Sequence, residues 1–222
     1  MNVTEAVRTR KSVRAFLSTP VPESTLRQIL LDAARAPSGG NIQPWKTWVL
    51  TGKPRDELVR WVREKWNAGI HTEGAEYDVF PEPLGEPYMT RRRAVGYKLY
   101  ELAGIDRKDS AGRLRQSFRN FEFFDAPVGM FFTVDRQFGP AQWSDLGMYI
   151  QNIALLALDH GLESCMQEAW ANWYQTLSEL LSIPENEMLF CGLALGYGDK
   201  NAVVNSLRTE RAGLEDVKFF GF

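Results

Sequence analysis

The chain has 222 residues, of which 44% are hydrophobic, 24% charged and 12% aromatic, with 26 Lys and Arg against 28 Asp and Glu. A globular chain of this size buries roughly 70–75% of its unfolded surface, so a sizeable core is available and extended disorder is excluded. The net charge of −2 provides no global basic field for nucleic acid or an anionic membrane, so any anion site must be local.

The first residues, MNVTEAVRTRKSVRAF, carry no apolar leader core, and no stretch reaches the roughly 18 apolar residues of a membrane span. A cytoplasmic protein with no nucleic-acid or membrane partner is expected. Residues 2–10 read as a short helix leading into Arg8, Arg10, Lys11 and Arg14. From Pro22 to Ala36, Leu26, Ile29, Leu30, Ala33 and Ala34 share one helical face, Pro22 and Glu23 suit the first turn, and Pro37 ends the helix. WKTWVLT reads as a strand punctuated by Gly52 and Pro54, and residues 54–67 as a helix with Leu58, Trp61, Val62 and Trp66 on one side.

Periodicity then fails in GIHTEGAEYDVFPEPLGEP, a long excursion of the kind that is often functional. MTRRRAVGYKLYELAGI and DSAGRLRQSFRNF look helical, and PVGMFFTVD is an apolar strand. Residues 142–160 form the longest helix, with Leu146, Tyr149, Ile150, Ile153, Ala154 and Ala157 facing inward. GLESCMQEA is strand then loop, WYQTLSELLSI a helix and EMLFCGLALGYG a buried strand. Helices and strands without strict βαβ alternation predict an α+β fold. Cys165 and Cys191 lack zinc or CxxC spacing and read as buried structural thiols, so no metal site is expected. The tail residues Phe219, Phe220 and Phe222 need a surface to cover.

Three segments carry candidate chemistry. RTRKSVRAF offers Arg10, Lys11, Ser12 and Arg14, a good phosphate-binding set, although such a run taken alone is more often a solvated face. PSGGNIQPW has no Cβ at Gly39 and Gly40, so a flat ligand can approach its backbone, and Asn41 and Gln43 supply donors and acceptors; taken alone it reads as a turn. NSLRTER adds Arg208 and Arg211.

In this order, with the long central helix and GLESCMQEA between them, RTRKSVRAF, APSGGNIQPWKTWVL and LGYGDKNAVVNSLRTER resemble the FMN-dependent nitroreductase family. The resemblance implies one FMN-binding domain over residues 1–222, with a variable excursion at about 68–118. Its α+β fold would be a central, mostly antiparallel sheet flanked by helices, in a domain-embracing homodimer with FMN at the interface. It implies that Arg10, Ser12 and Arg208, helped by Lys11, hold the phosphate of a tightly bound FMN, and that Arg14 lies by the pyrimidine edge. Pro37, Ser38 and Gly39 would line the ring, with Asn41 and Gln43 reaching it from the partner subunit. Met166, Gln167, Glu168 and Ala169 would form the loop whose backbone N–H addresses flavin N5, although many relatives have a proline in place of Met166. Arg119 or Asn120 would add a further contact.

The implied activity is ping-pong: NADH or NADPH reduces the flavin, and a small aromatic acceptor, a nitroaromatic or quinone, then takes two electrons. The flavin carries the chemistry, so no catalytic side chain is required beyond support from Arg14 and Glu168. Relatives of the fold also perform dehalogenation, enoate reduction or oxidative flavin breakdown, and a non-catalytic FMN-binding redox protein is a further alternative. Residues 68–93 would supply a lid and the acceptor preference, with Tyr77, Phe80 and Tyr88 to stack and Arg91, Arg92 or Arg93 to pair with a carboxylate such as that of a nitrobenzoate. His71 reads as a solvated loop histidine and His160 as a partner of its helix C-terminus.

Overall fold

The computed structural model describes residues 1–221; Phe222, part of the expected aromatic tail, lies outside the described residues. Four segments become strands: β1 (Lys46–Thr51), β2 (Val128–Asp135), β3 (Glu163–Gln167) and β4 (Glu187–Gly196). They form one antiparallel sheet in the order β1-β2-β4-β3. With seven α-helices around it among the described residues, the sheet makes the α+β fold expected from the mixed element pattern.

The central strands β2 and β4 are apolar on both faces, so each face needs a cover. On one side Val128, Met130, Phe132, Val134, Leu193 and Leu195 meet α6 (Pro140–Asp159) and α2 (Glu23–Ala33). All six inward positions expected on α6, from Leu146 to Ala157, are buried there. On the other side Phe131 and Ala194 meet α3 (Gly52–Asn67) and an aromatic cluster that includes Phe118, Phe121, Phe123, Trp170 and Trp173. Burying each of these large side chains stabilises the fold by roughly 1.5–3 kcal/mol relative to exposure.

Two boundaries differ from expectation. The helix α2 stops at Ala33 rather than Ala36, because the chain needs residues 34–36 to turn out of the helix ahead of Pro37. Gly52 and Pro54 do not separate β1 from a helix; they sit inside the first turn of α3, where an N–H has no intrahelical partner and its loss on proline costs nothing.

The remaining helices are α1 (Val3–Thr9), α4 (Tyr88–Leu102), α5 (Ser110–Phe118) and α7 (Tyr174–Leu181). The backbone departs from regular geometry at two places. In the β2–β4 ladder Phe132 faces Cys191 and Thr133 faces Leu189, so Phe190 is the extra residue of a β-bulge. Between α5 and β2, Phe123, Phe124 and Asp125 have φ of 54°, 53° and 71°, rare for bulky side chains and held here by the complete burial of both phenylalanines.

Candidate functional site

The N-terminal cationic run and the C-terminal NSLRTER segment line one cleft of about 580 Å³, into which Arg8, Arg10, Lys11, Arg14, Arg208 and Arg211 all open with no carboxylate among its lining residues. Backbone carbonyls hold several of these cations. Lys11 Nζ donates to the Asn205 carbonyl at 2.5 Å, Arg14 to the Ser12 carbonyl at 3.2 Å, and Arg208 to the Thr9 carbonyl at 2.9 Å and to that of Arg8. The Arg10 guanidinium has neither a hydrogen bond nor an ion pair among the described residues. Burial, then the charges of Arg211 and Arg208, push its pKa below the ordinary guanidinium value. Such a cluster is relieved by an anion.

Asn205 ties the two segments together. Its Oδ1 accepts from the Arg14 N–H, and its Nδ2 donates to the carbonyls of Ala15 and Asp199, each at 2.8 Å. Nothing in the sequence singled it out: a lone asparagine gains this role only when residues almost two hundred positions apart meet. Ser12 also bridges to Ser164, and the Val13 N–H donates to the Ser164 carbonyl at 3.0 Å, so the cationic run lies against the start of β3.

From Ser164 the chain runs about 13 Å along β3 to Glu168, which lines a second cleft of about 750 Å³. Met166, Gln167, Glu168 and Ala169 form one side, with Asn120 and Asn172, and the excursion forms the other with Tyr77, Asp78, Phe80, Glu82 and Arg92. Gln167 Nε2 donates to the Asn120 carbonyl at 2.6 Å. Two buried atoms of β3, Ser164 Oγ and Gln167 Oε1, have no hydrogen-bond partner, an arrangement that buried polar groups usually avoid. Burial raises the pKa of the Glu168 carboxyl, and it raises that of the Tyr77 phenol with Cys191 and Glu168 adding to the effect.

The excursion is tied down before it reaches this cleft. Glu73 accepts from Lys65 Nζ at 2.6 Å, from the Thr176 hydroxyl at 2.5 Å and from the Thr176 N–H at 2.9 Å. Glu76 accepts from the Leu189 N–H at 3.0 Å and pairs with Arg136. The Tyr77 hydroxyl donates to the carbonyl of the bulge residue Phe190, and its ring stacks on that of Phe190 at 5.8 Å. The bulge thereby turns an irregularity of the ladder into an anchor for the cleft wall.

A model of the nitroreductase family matches residues 7–197. The chain belongs to the nitroreductase family. It is 37% identical over 218 residues to the chloronitrobenzene nitroreductase of Comamonas testosteroni, covering 98% of this chain and 96% of that one. It is also 37% identical over 220 residues to the 4-nitrobenzoate reductase of Pseudomonas putida, covering 97% and 94%. Its fold matches the crystal structure of the FMN and NADPH-dependent nitroreductase NfnB from sphigopyxis sp. strain HMH with a TM-score of 0.96, 41% identity and full coverage of both chains.

Within this nitroreductase chain the residues expected at a flavin separate into three places. Arg10, Lys11, Ser12, Arg14 and Arg208 share the cationic cleft, and Met166, Gln167, Glu168 and Ala169 share the second. The turn with Pro37, Ser38, Gly39, Asn41 and Gln43 lines neither. Its Gly39 N–H donates to Asp145 at 3.2 Å, its Gln43 N–H donates to Ser38 Oγ at 2.9 Å, and Asn41 and Gln43 are exposed. Asn120 faces the second cleft, whereas Arg119 pairs with Asp125 at 2.7 Å. Of the excursion candidates, Tyr77, Phe80 and Arg92 line the cleft, while Tyr88, Arg91 and Arg93 do not. His71 packs on Trp66 with ring centroids 4.4 Å apart, and His160 caps α6.

Proposed function

We propose that this nitroreductase holds FMN across the two clefts and catalyses ping-pong two-electron reduction of nitroaromatic or quinone-type acceptors at the expense of NADH or NADPH. The observation that carries the reading is the cationic cleft, rich in cations and free of carboxylates, joined through β3 to an aromatic-walled cleft. The curated relatives and the solved structure support it, being reductases of chloronitrobenzene and 4-nitrobenzoate and an FMN and NADPH-dependent nitroreductase. The donor set fits FMN: unpaired Arg10 and its cationic neighbours suit a phosphate dianion, and the orphan atoms of β3 offer hydrogen-bonding capacity between the clefts.

When bound, the flavin supplies the two-electron transfer. Arg10, Ser12 and Arg208, helped by Lys11, bind its phosphate. Arg14 would set a fixed positive charge beside the flavin ring and so favour its two-electron chemistry. The Met166–Ala169 loop would offer its backbone N–H groups to the flavin, and Glu168, whose carboxyl pKa burial raises, would stand on the acceptor side of it. Tyr77 and Phe80 stack on the acceptor and exclude water.

We propose further that the protein is a cytoplasmic homodimer of single-domain subunits, residues 1–222, whose acceptor range is set within the excursion at about 68–118. Two observations support the dimer. The 15-residue helix α4 buries no residue within its own chain, and Val3, Val7, Ile42, Met148, Leu214, Val217 and Phe220 are exposed. A partner covering these surfaces would bring its own turn with Pro37, Ser38, Gly39, Asn41 and Gln43 to the flavin. Among the described residues no helix is long and apolar enough to cross a membrane.

An anaerobic visible spectrum tests the function. A yellow protein that bleaches with NADPH or NADH and regains colour on adding nitrobenzene is the expected result. A protein that stays colourless with added FMN overturns the reading. Sedimentation of the holoprotein as a monomer would overturn the dimer.

A further inference from the structure

Among the residues lining the acceptor cleft, Arg92 is the one cation, set against Asp78, Glu82 and Glu168. Its guanidinium carbon lies 4.2 Å from the Phe80 ring centroid. That contact holds the guanidinium against the ring, and its five N–H donors remain to be used. Among the described residues no hydrogen bond or ion pair takes them, although two unpaired carboxylates, Asp78 and Glu82, line the same cleft. Arg91 and Arg93, its neighbours in sequence, do not line the cleft. Arg92 is therefore the one lining residue that can attract an anionic substituent entering here.

We propose that Arg92 is a specificity-determining residue that binds a carboxylate on the aromatic acceptor through its guanidinium N–H donors, while Phe80 positions the guanidinium and Tyr77 stands against the acceptor ring. This rests on the proposed acceptor site and deepens it, because it selects carboxylated nitroarenes over neutral ones of the same size. The same fork also suits the extra phosphate of NADPH, so the test separates the two sources.

The experiment compares wild-type holoenzyme with Arg92→Ala and Arg92→Lys, each checked for native melting. The ratio of kcat/KM for 4-nitrobenzoate to that for nitrobenzene should fall about tenfold in Arg92→Ala, as expected for loss of one charge-assisted pair, and by less in Arg92→Lys, which keeps the charge without the fork. An unchanged ratio overturns the proposal. A changed preference between NADPH and NADH with an unchanged nitroarene ratio also overturns it and assigns the arginine to the donor phosphate.

Titration of the oxidised holoenzyme with benzoate and its neutral counterpart benzamide, followed by flavin fluorescence, gives a readout that needs no turnover. The wild type should prefer benzoate and Arg92→Ala should lose that preference; equal binding of both by the wild type overturns the proposal. If neither nitroarene is reduced, the acceptor reading has failed, and the titration still decides whether Arg92 binds a carboxylate.

Discussion

The cationic cleft draws its lining from two short segments, residues 7–14 and 207–211, whereas the acceptor cleft collects residues from four separated parts of the chain: 75–82, Arg92, Asn120 and 166–172. The first is a local charge pattern pinned by backbone carbonyls and by Asn205. The second exists only because Glu73, Glu76 and Tyr77 fasten an irregular excursion to α7 and β4.

The largest expected effect separates the two clefts directly. Replacing both Arg10 and Arg208 with Ala removes two charge-assisted partners of about 1.5–3 kcal/mol each, which weakens FMN binding by roughly a hundredfold to ten-thousandfold. Flavin fluorescence during titration of the apoprotein reads this, and a change below about threefold would remove the cationic cleft as the phosphate site.

Gly192→Ala probes the packing beneath the acceptor loop. A Cβ there would lie 2.5 Å from Cδ1 of Trp170, a fully buried ring next to the 166–169 loop. Overpacking of this kind costs about 1–3 kcal/mol, measurable as a lower urea midpoint. A midpoint equal to wild type would mean that Trp170 moves freely and does not brace the loop.

Glu73→Gln tests the anchor of the excursion, with an expected loss of about 1–2 kcal/mol near neutral pH. Burial alone would raise the Glu73 pKa, yet the bonds from Lys65 and Thr176 outweigh it and the carboxyl sits below its ordinary value. A depressed carboxyl contributes stability above its unfolded pKa and loses it as pH falls through the folded one, so wild type and Glu73→Gln should converge in melting temperature over the acid range below about pH 4.3. A gap that persists throughout that range would show that the anchor does not depend on the charge. The smallest effects belong to Arg91→Ala and Arg93→Ala, which should change stability by less than about 0.5 kcal/mol, measured by urea denaturation. A larger loss at either would extend the anchored wall into α4.

Much of the fold was legible because it follows from period. The apolar stripe of α6 and the apolar runs of β2 and β4 state their own burial through spacing, and the α+β class follows from the order of the elements. Element ends were less legible, as Gly52 and Pro54 show: the same residues that punctuate a loop also suit a helix's first turn.

The candidate site divides along the same line. The sequence by itself determined which cations stand within a few residues of one another, since charge type and spacing need no fold to be read. Only the tertiary structure decided that Asn205 clamps the two ends of the chain, that the Phe190 bulge receives Tyr77, that Asn120 rather than Arg119 faces the acceptor cleft, and that Arg92 alone of its triplet enters it. Each of those outcomes depends on contacts between residues far apart in the chain, whose energies arise only once the sheet has brought them together.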